Sequence, residues 1–201
     1  MVTDTFLARV IAMLGDPPAH HADPAAWAAL ETDLGFSLPE DFKTLVDGYA
    51  PVKVNGHLYL DHPATDRWNL GTFIRETSEA WNQIPWDDDI EGDPRAALGL
   101  ADLEFGTERG LTPIASADSG QTVFFARSPE DGRTLLFVED GDGEFSMYSM
   151  SLSEWLYRYL VGEDMAGPNS SYFYPGPVVL ESRPMEPDEE IVRRHGPERG
   201  M

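Results

Sequence analysis

The chain has 201 residues, of which 41% are hydrophobic and 11% aromatic, a composition typical of a globular domain and not of a disordered or fibrous protein. It contains no cysteine, which excludes a disulfide scaffold, a thiol nucleophile and cysteine-ligated metal sites. Its 36 acidic and 14 basic residues give a formal net charge of −22, which repels nucleic acids and anionic membranes. Such a charge can attract cations or a basic protein partner, and solubility alone would also explain it.

Three helices are predicted at the start of the chain. Apolar residues at three- and four-residue spacing from Phe6 predict the first helix, which ends before Gly15. Charged residues interrupt this apolar pattern, unlike a signal peptide, and no segment reaches the ~18 apolar residues of a membrane span, so we expect a cytoplasmic protein. Asp23 before Pro24 predicts the N-cap and first residue of the second helix. Pro39, followed by two acids, begins the third.

A β-hairpin and a fourth helix follow. Residues 52–54 and 57–60 are short extended runs, and the dipeptide Asn55-Gly56 that joins them suits a type I′ turn. Apolar residues between Leu70 and Trp81 then return to helical spacing.

The densest run of charge lies in a proline-bounded acidic loop, residues 85–94. Acids of this kind steer a basic partner towards a site, and a tryptophan buried in an interface can contribute ~2 kcal/mol or more. A solvated loop whose Trp86 packs on the core of its own domain would show the same pattern. The candidate partner-binding residues are Trp86, Asp87, Asp88, Asp89, Ile90, Glu91 and Asp93.

The second half of the chain predicts a sheet and a closing helix. Four apolar runs alternate with turn residues between positions 111 and 150, a pattern typical of an antiparallel meander. Ser151 and Glu154 have the spacing of a capping box and begin a helix that ends near Gly162. The predicted fold class is therefore α+β, with N-terminal helices packed on an antiparallel β-meander sheet and a helix after the meander.

The last residues differ in composition from the rest. They are rich in proline, arginine and glutamate, with few apolar anchors. We therefore predict a domain over residues 1–166 and a C-terminal extension over residues 167–201. We expect the extension to be partly docked, through a strand or an aromatic contact, and disordered from about Arg183. Tyr172, Phe173 and Tyr174 favour docking on the sheet, although they could also contact a partner.

The segment from Glu31 to Tyr49 resembles the signature of the SUKH superfamily, the Smi/Knr-like proteins. In that family a helix ends at a glycine, here Gly35, and a Leu-Pro-acid-acid-aromatic segment, here residues 38–42, opens the next helix. Residues 111–138 and the helix over 151–161 resemble the second half of the family. The turn at residues 116–120 departs from the richer glycine and acidic turn usual there. The resemblance covers about residues 20–162.

The resemblance implies a non-enzymatic protein-binding domain, because the family has no shared catalytic residues. Bacterial members are often immunity proteins that bind and neutralise a toxin of a polymorphic or contact-dependent system, whereas fungal relatives are regulatory scaffolds. Together with the acidic charge, it predicts an immunity protein for a basic toxin domain such as a nuclease. A regulatory scaffold without a toxin partner is the alternative. No cofactor is predicted, and the oligomeric state stays open.

Histidines offer one candidate metal or catalytic cluster. His57 and His62, with Asp61 between them, could hold zinc or form an active site if they shared a buried polar pocket with several carboxylates. However, side chains five residues apart on a continuing strand point to opposite faces. We therefore predict surface histidines here and at His20-His21.

A second candidate metal site is the turn at residues 140–144. Asp140, Asp142 and Glu144 echo the start of a calcium loop, but the twelfth position is Ser151 where such a loop needs a bidentate glutamate. The pattern therefore favours a hairpin turn, and no metal ligand is predicted. No glycine-rich phosphate-binding loop is present either.

Overall fold

The structure, a computed structural model, describes residues 5–87 and 89–198; Asp88 of the predicted site lies outside them. Over these residues the chain forms six helices and eight strands. The helices are α1 (Thr5–Leu14), α2 (Pro24–Leu34), α3 (Glu40–Tyr49), α4 (Leu70–Trp81), α5 (Pro94–Leu98) and α6 (Leu152–Leu160). The strands are β1 (Val52–Val54), β2 (Leu58–Leu60), β3 (Thr112–Ala117), β4 (Thr122–Arg127), β5 (Thr134–Glu139), β6 (Phe145–Tyr148), β7 (Val179–Ser182) and β8 (Arg193–His195).

Local capping signals set several of the helix ends. The Asp23 carboxylate accepts a hydrogen bond from the backbone N–H of Ala25 at the start of α2, and Gly35 ends that helix in the left-handed conformation. Ser151 caps α6 by accepting from the N–H of Glu154 at 3.2 Å. The short helix α5 was not predicted. Within the described ranges, no helix is long and apolar enough to cross a bilayer.

The strands form one antiparallel sheet in the order β6-β5-β4-β3-β2-β1-β7-β8. The meander over β3–β6 follows the chain order that the apolar runs predict. Asn55 and Gly56 both have positive φ, 50° and 64°, as a type I′ turn between β1 and β2 requires. With α6 following the meander, the predicted α+β fold class is confirmed.

Both faces of the two inner strands, β4 and β5, are buried, which explains why these strands are apolar runs without polar alternation. On one face, Val123 and Phe125 of β4 join the first core, which includes residues of α1, α3 and α6. On the other face, Phe124 and Ala126 join the second core. The buried residues of the second core are Leu98, Phe105, Leu111, Phe124, Ala126, Leu135, Phe137 and Phe145.

The C-terminal extension adds strands to the same sheet. β7 pairs with β1, and β8 pairs with β7 at the sheet edge. Between them, Arg183 forms an ion pair with Asp61, and its guanidinium lies 3.7 Å from the centroid of the Trp68 ring. Beyond Arg183, the carbonyls of Pro184 and Met185 accept hydrogen bonds from Trp68 and Arg67, more than a hundred residues away in sequence. The expected disorder from about Arg183 stays a prediction. The division into domain and extension stays a prediction.

Candidate partner-binding groove

The acidic loop is attached to the second core through its tryptophan. The Trp86 ring stacks on Trp81 with centroids 5.5 Å apart, and its indole N–H donates to the Trp81 carbonyl at 3.2 Å. Phe105 and Phe145 lie within 6 Å of the same ring. Ile90 is half-buried against the second core as well. These two apolar residues therefore hold the loop on its own domain and present only part of their surface to a partner.

The far end of the loop runs along the start of β6. The Phe145 N–H donates to the Glu91 carbonyl at 2.9 Å. Gly92 follows with a φ of 70°, and a Cβ on it would lie 1.7 Å from the Phe145 carbonyl oxygen, so the close approach requires glycine. This contact fixes the loop beside the β5–β6 turn.

Asp93 has a structural partner within the loop. It caps α5 by accepting from the Arg95 N–H at 2.9 Å, and its carboxylate forms an ion pair with the Arg95 side chain at 2.8 Å. Arg95 also donates to the Asp87 carbonyl at 2.9 Å. The charge of Asp93 is therefore neutralised locally, while the carboxylates of Asp87, Asp89 and Glu91 belong to exposed residues.

The β5–β6 turn is a hairpin turn held by acidic side chains. The Asp140 carboxylate accepts from the N–H groups of Asp142 and Glu144 at 2.9 and 3.3 Å, and Glu139 accepts from the Gly143 N–H at 2.7 Å. The hydrogen bonds of a turn thus account for the acidic pattern that echoes a calcium loop. Among the described residues, no group of three or more side chains is arranged to hold a metal ion.

Loop and turn together line one open groove, the acidic groove. Its acidic lining residues are Asp87, Asp89, Glu91, Asp142 and Glu144, and no basic residue is among the described residues that line it. The negative charge of Glu91, followed by that of Asp140, raises the pKa of the Glu144 carboxyl. The loop and turn acids therefore repel each other, and a cation bound between them would relieve that repulsion.

Sequence reasoning missed several of the residues that line the groove. Asp142 and Glu144 come from a turn some fifty residues away, and Ile84 adds an apolar surface that is 43% exposed. The contacts of Trp86, Glu91 and Gly92 with Phe145 bring the turn to the loop, and no local pattern encodes them.

The predicted surface histidines at 57 and 62 are buried, so that prediction is wrong. His57 is 7% exposed: Nδ1 lies 2.5 Å from the Tyr159 hydroxyl, and Nε2 lies 2.6 Å from the Ser119 hydroxyl. Because Ser119 donates to Gln121, its oxygen accepts from His57, and the proton lies on Nε2. The ring also stacks on Tyr172 at 4.0 Å, so Tyr172 of the extension is docked here.

His62 is fully buried and has other partners. Its Nδ1 accepts from the Ala64 N–H at 3.0 Å, and its Nε2–H therefore faces Asp47 at 3.2 Å. Both histidines are elements of packing and share no partner, so the structure does not bring together the pocket that a catalytic interpretation requires. Of the other pair, His21 is half-buried beside His62 and His20 is exposed.

The buried histidines predict that the domain loses stability in mild acid. Burial lowers the pKa of His57, although the negative charge of Asp118 acts in the opposite direction. Burial also lowers the pKa of His62, although its hydrogen bond to Asp47 acts in the opposite direction. The unfolded chain, with histidine pKa values near ~6.5, then binds protons before the folded chain does. We expect the free energy of unfolding to fall as the pH falls below about 6.5.

Urea denaturation at several pH values measures this dependence. A His57→Gln variant should be less stable at neutral pH but should show a shallower decline, because one of the two depressed groups is gone. His195→Gln, at an exposed position, serves as the control and should keep the original slope. An unchanged slope in His57→Gln would contradict the assignment.

Comparison with known proteins agrees with this architecture. Residues 24–156 match the family model SUKH_6, described as SMI1-KNR4 cell-wall. The match runs from α2 into α6, covers about two thirds of the chain and includes both segments of the acidic groove. A search of curated proteins and a search of solved structures found no match.

Proposed function

Because the chain belongs to the SMI1-KNR4 cell-wall family of SUKH domains, we propose that it acts as an immunity protein that binds and neutralises a basic toxin domain. The family consists in general of protein-interaction domains. We place the contact at the acidic groove, and the site of action in the cytoplasm. The proposed contact residues are Trp86, Asp87, Asp88, Asp89, Ile90, Glu91 and Asp93, now joined by Ile84, Asp142 and Glu144.

The observation that carries this proposal is the convergence of acids from two separate segments around one groove. Their mutual repulsion, expressed in the raised pKa of Glu144, is a local feature that the diffuse net charge does not require. A basic partner would gain attraction there and would be steered towards it over several ångströms of solvent. A nuclease domain fits well, since its phosphate-binding surface is itself basic.

The apolar residues of the groove have two different roles. Trp86 and Ile90 hold the loop in place, and their exposed edges form part of the groove. Ile84 is 43% exposed and lines the same groove. Ile84 is therefore the better candidate for an apolar anchor on the partner, because its substitution disturbs the domain least.

Co-expression with a candidate toxin tests the function. The candidate is a secreted toxin with a basic C-terminal domain encoded beside the gene for this chain. We expect co-expression to restore growth and the purified chains to form a stable complex, whereas an unrelated immunity protein of similar charge should do neither. Absence of any such toxin gene, or growth arrest despite co-expression, would overturn the immunity proposal and favour a regulatory scaffold.

A further inference from the structure

A second cavity lies at the opposite edge of the sheet from the acidic groove, and its charge is of the opposite sign. It has a volume of about 280 Å³ and lies between the end of α3, β1, β7 and the segment that leads to β8. Three of its lining residues carry basic side chains without a carboxylate partner among the described residues, namely His20, His21 and Arg194. Arg194 is the permanently charged member of the three.

Arg194 is held on the core side of the sheet. It pairs with Leu180 across β7 and β8, and Leu180 pairs with Val54 across β7 and β1. Directly paired residues project to the same face, and both apolar members of this row are buried in the first core. The Arg194 side chain therefore enters the cavity from the sheet edge. Its positive charge opposes the effect of burial, which raises the pKa of Tyr49 to about 12.

The other charged side chains of the cavity, Arg183 and Glu189, already have partners within the protein. Arg183 is paired with Asp61 and packed on Trp68. Glu189, the single carboxylate among the described lining residues, accepts from the backbone N–H groups of Met185 and Glu186 at 2.5 and 3.3 Å. The Arg194 guanidinium has no hydrogen-bond or ion-pair partner among the described residues, so its donors are available to a ligand.

We propose that this cavity binds a small organic oxyanion, a carboxylate or a phosphate ester, with Arg194 as the anchoring cation. A guanidinium matches either group through two parallel N–H donors. Most of the remaining walls are apolar, which favours an anion with an apolar body over a bare inorganic ion, and Tyr49 and Ser182 are also part of the lining. The apolar walls are Pro18, Pro51, Val52, Leu180, Met185 and Val192.

Most of this cavity lies outside the family match. Only residues 48–52 of its lining fall within residues 24–156, and the rest come from the α1–α2 connection and the C-terminal extension. The extension therefore gives this chain a ligand site that the matched domain alone would not form. The proposal does not depend on the immunity function, since it uses none of the acidic groove.

NMR titration of the uniformly ¹⁵N-labelled full chain tests the site with benzoate, phenyl phosphate, inorganic phosphate and neutral benzamide as probes. We expect saturable shifts of the amides of Ser182, Val192 and Arg194 with benzoate or phenyl phosphate, and weak or no shifts with the other two. The tighter of the two organic anions identifies the ligand as a carboxylate or a phosphate ester. Equal shifts with benzamide, or no saturable shift with any probe, would overturn the proposal.

Two variants of opposite effect and one control complete the test. Arg194→Gln should weaken binding at least tenfold, whereas Glu189→Gln should tighten it several-fold, because it removes the lining carboxylate yet keeps an acceptor oxygen. Arg75→Gln, on the exposed face of α4, alters the net charge as Arg194→Gln does and should leave affinity unchanged. If Glu189→Gln leaves the affinity for the organic anions unchanged, the site is refuted. Arg194 would then serve only as an inward-pointing charge that protects a sheet edge.

Discussion

Reversing three acids of the acidic groove, by Asp87→Lys, Asp89→Lys and Glu91→Lys together, is expected to slow association with the proposed basic toxin domain by about tenfold to a hundredfold at low ionic strength. These residues are exposed, and their carboxylates line the groove that the partner would approach. Electrostatic steering acts on the rate of encounter, so the association rate should change more than the dissociation rate. Stopped-flow or surface-binding kinetics would measure both.

The matched control separates local from diffuse charge. Asp33→Lys, Glu130→Lys and Glu190→Lys also reverse three exposed acids, but these lie away from the groove. This triple variant has the same net charge as the groove variant and should associate at nearly the original rate. Raising the salt to about 0.15 M, where the screening length is about 8 Å, should reduce the differences in association rate between the original chain and the two variants. Equal slowing by both variants would show that the acidity serves only as a general field.

Phe124→Ala is expected to lower the free energy of unfolding by about 3–5 kcal/mol. Phe124 is fully buried in the second core, with ring centroids 5.0 Å from Trp81, 5.6 Å from Phe105 and 6.2 Å from Phe145. Its removal takes contacts from every ring that supports Trp86. The loss should therefore also loosen the acidic loop. Quenchers in solution should then reach Trp86 more readily, so quenching of its fluorescence should become faster.

Phe173→Ala is the control for this substitution. Phe173 is 62% exposed, so the same chemical change should cost less than about 1 kcal/mol. Urea or thermal denaturation of the two variants gives the comparison. If Phe124→Ala costs no more than Phe173→Ala, the second face of the sheet is not a packed core, and the support assigned to the acidic loop fails.

Local signals in the sequence were enough to predict most elements of the fold. The Asp23-Pro24 start of α2, the Asn55-Gly56 turn and the Ser151 cap are each encoded within a few residues, and the structure has all three. Turn clusters between apolar runs likewise predict the meander. Such features depend on backbone conformation and on neighbouring hydrogen bonds, which short sequence patterns specify directly.

Long-range contacts are what the sequence did not predict. The surface assignment of His57 assumed that only strand alternation decides burial, whereas Tyr159 and Tyr172 cover it from distant segments. Asp142 reaches the acidic groove through a contact between the loop and β6. The charge of the acidic loop was visible in the sequence, but the packing of Trp86 on Trp81 was one of two open alternatives.

The position of β7 has a consequence for how the chain is made. The backbone of Asn55 bonds to Val179, 124 residues later in sequence, so β1 acquires its second neighbour only after β7 has been synthesised. Until then β1 is a bare edge flanked by apolar side chains, and loop closure over this distance is slow. A truncated product that ends before β7 would keep that edge open and be prone to self-association. β7 thus protects the edge of β1 from self-association.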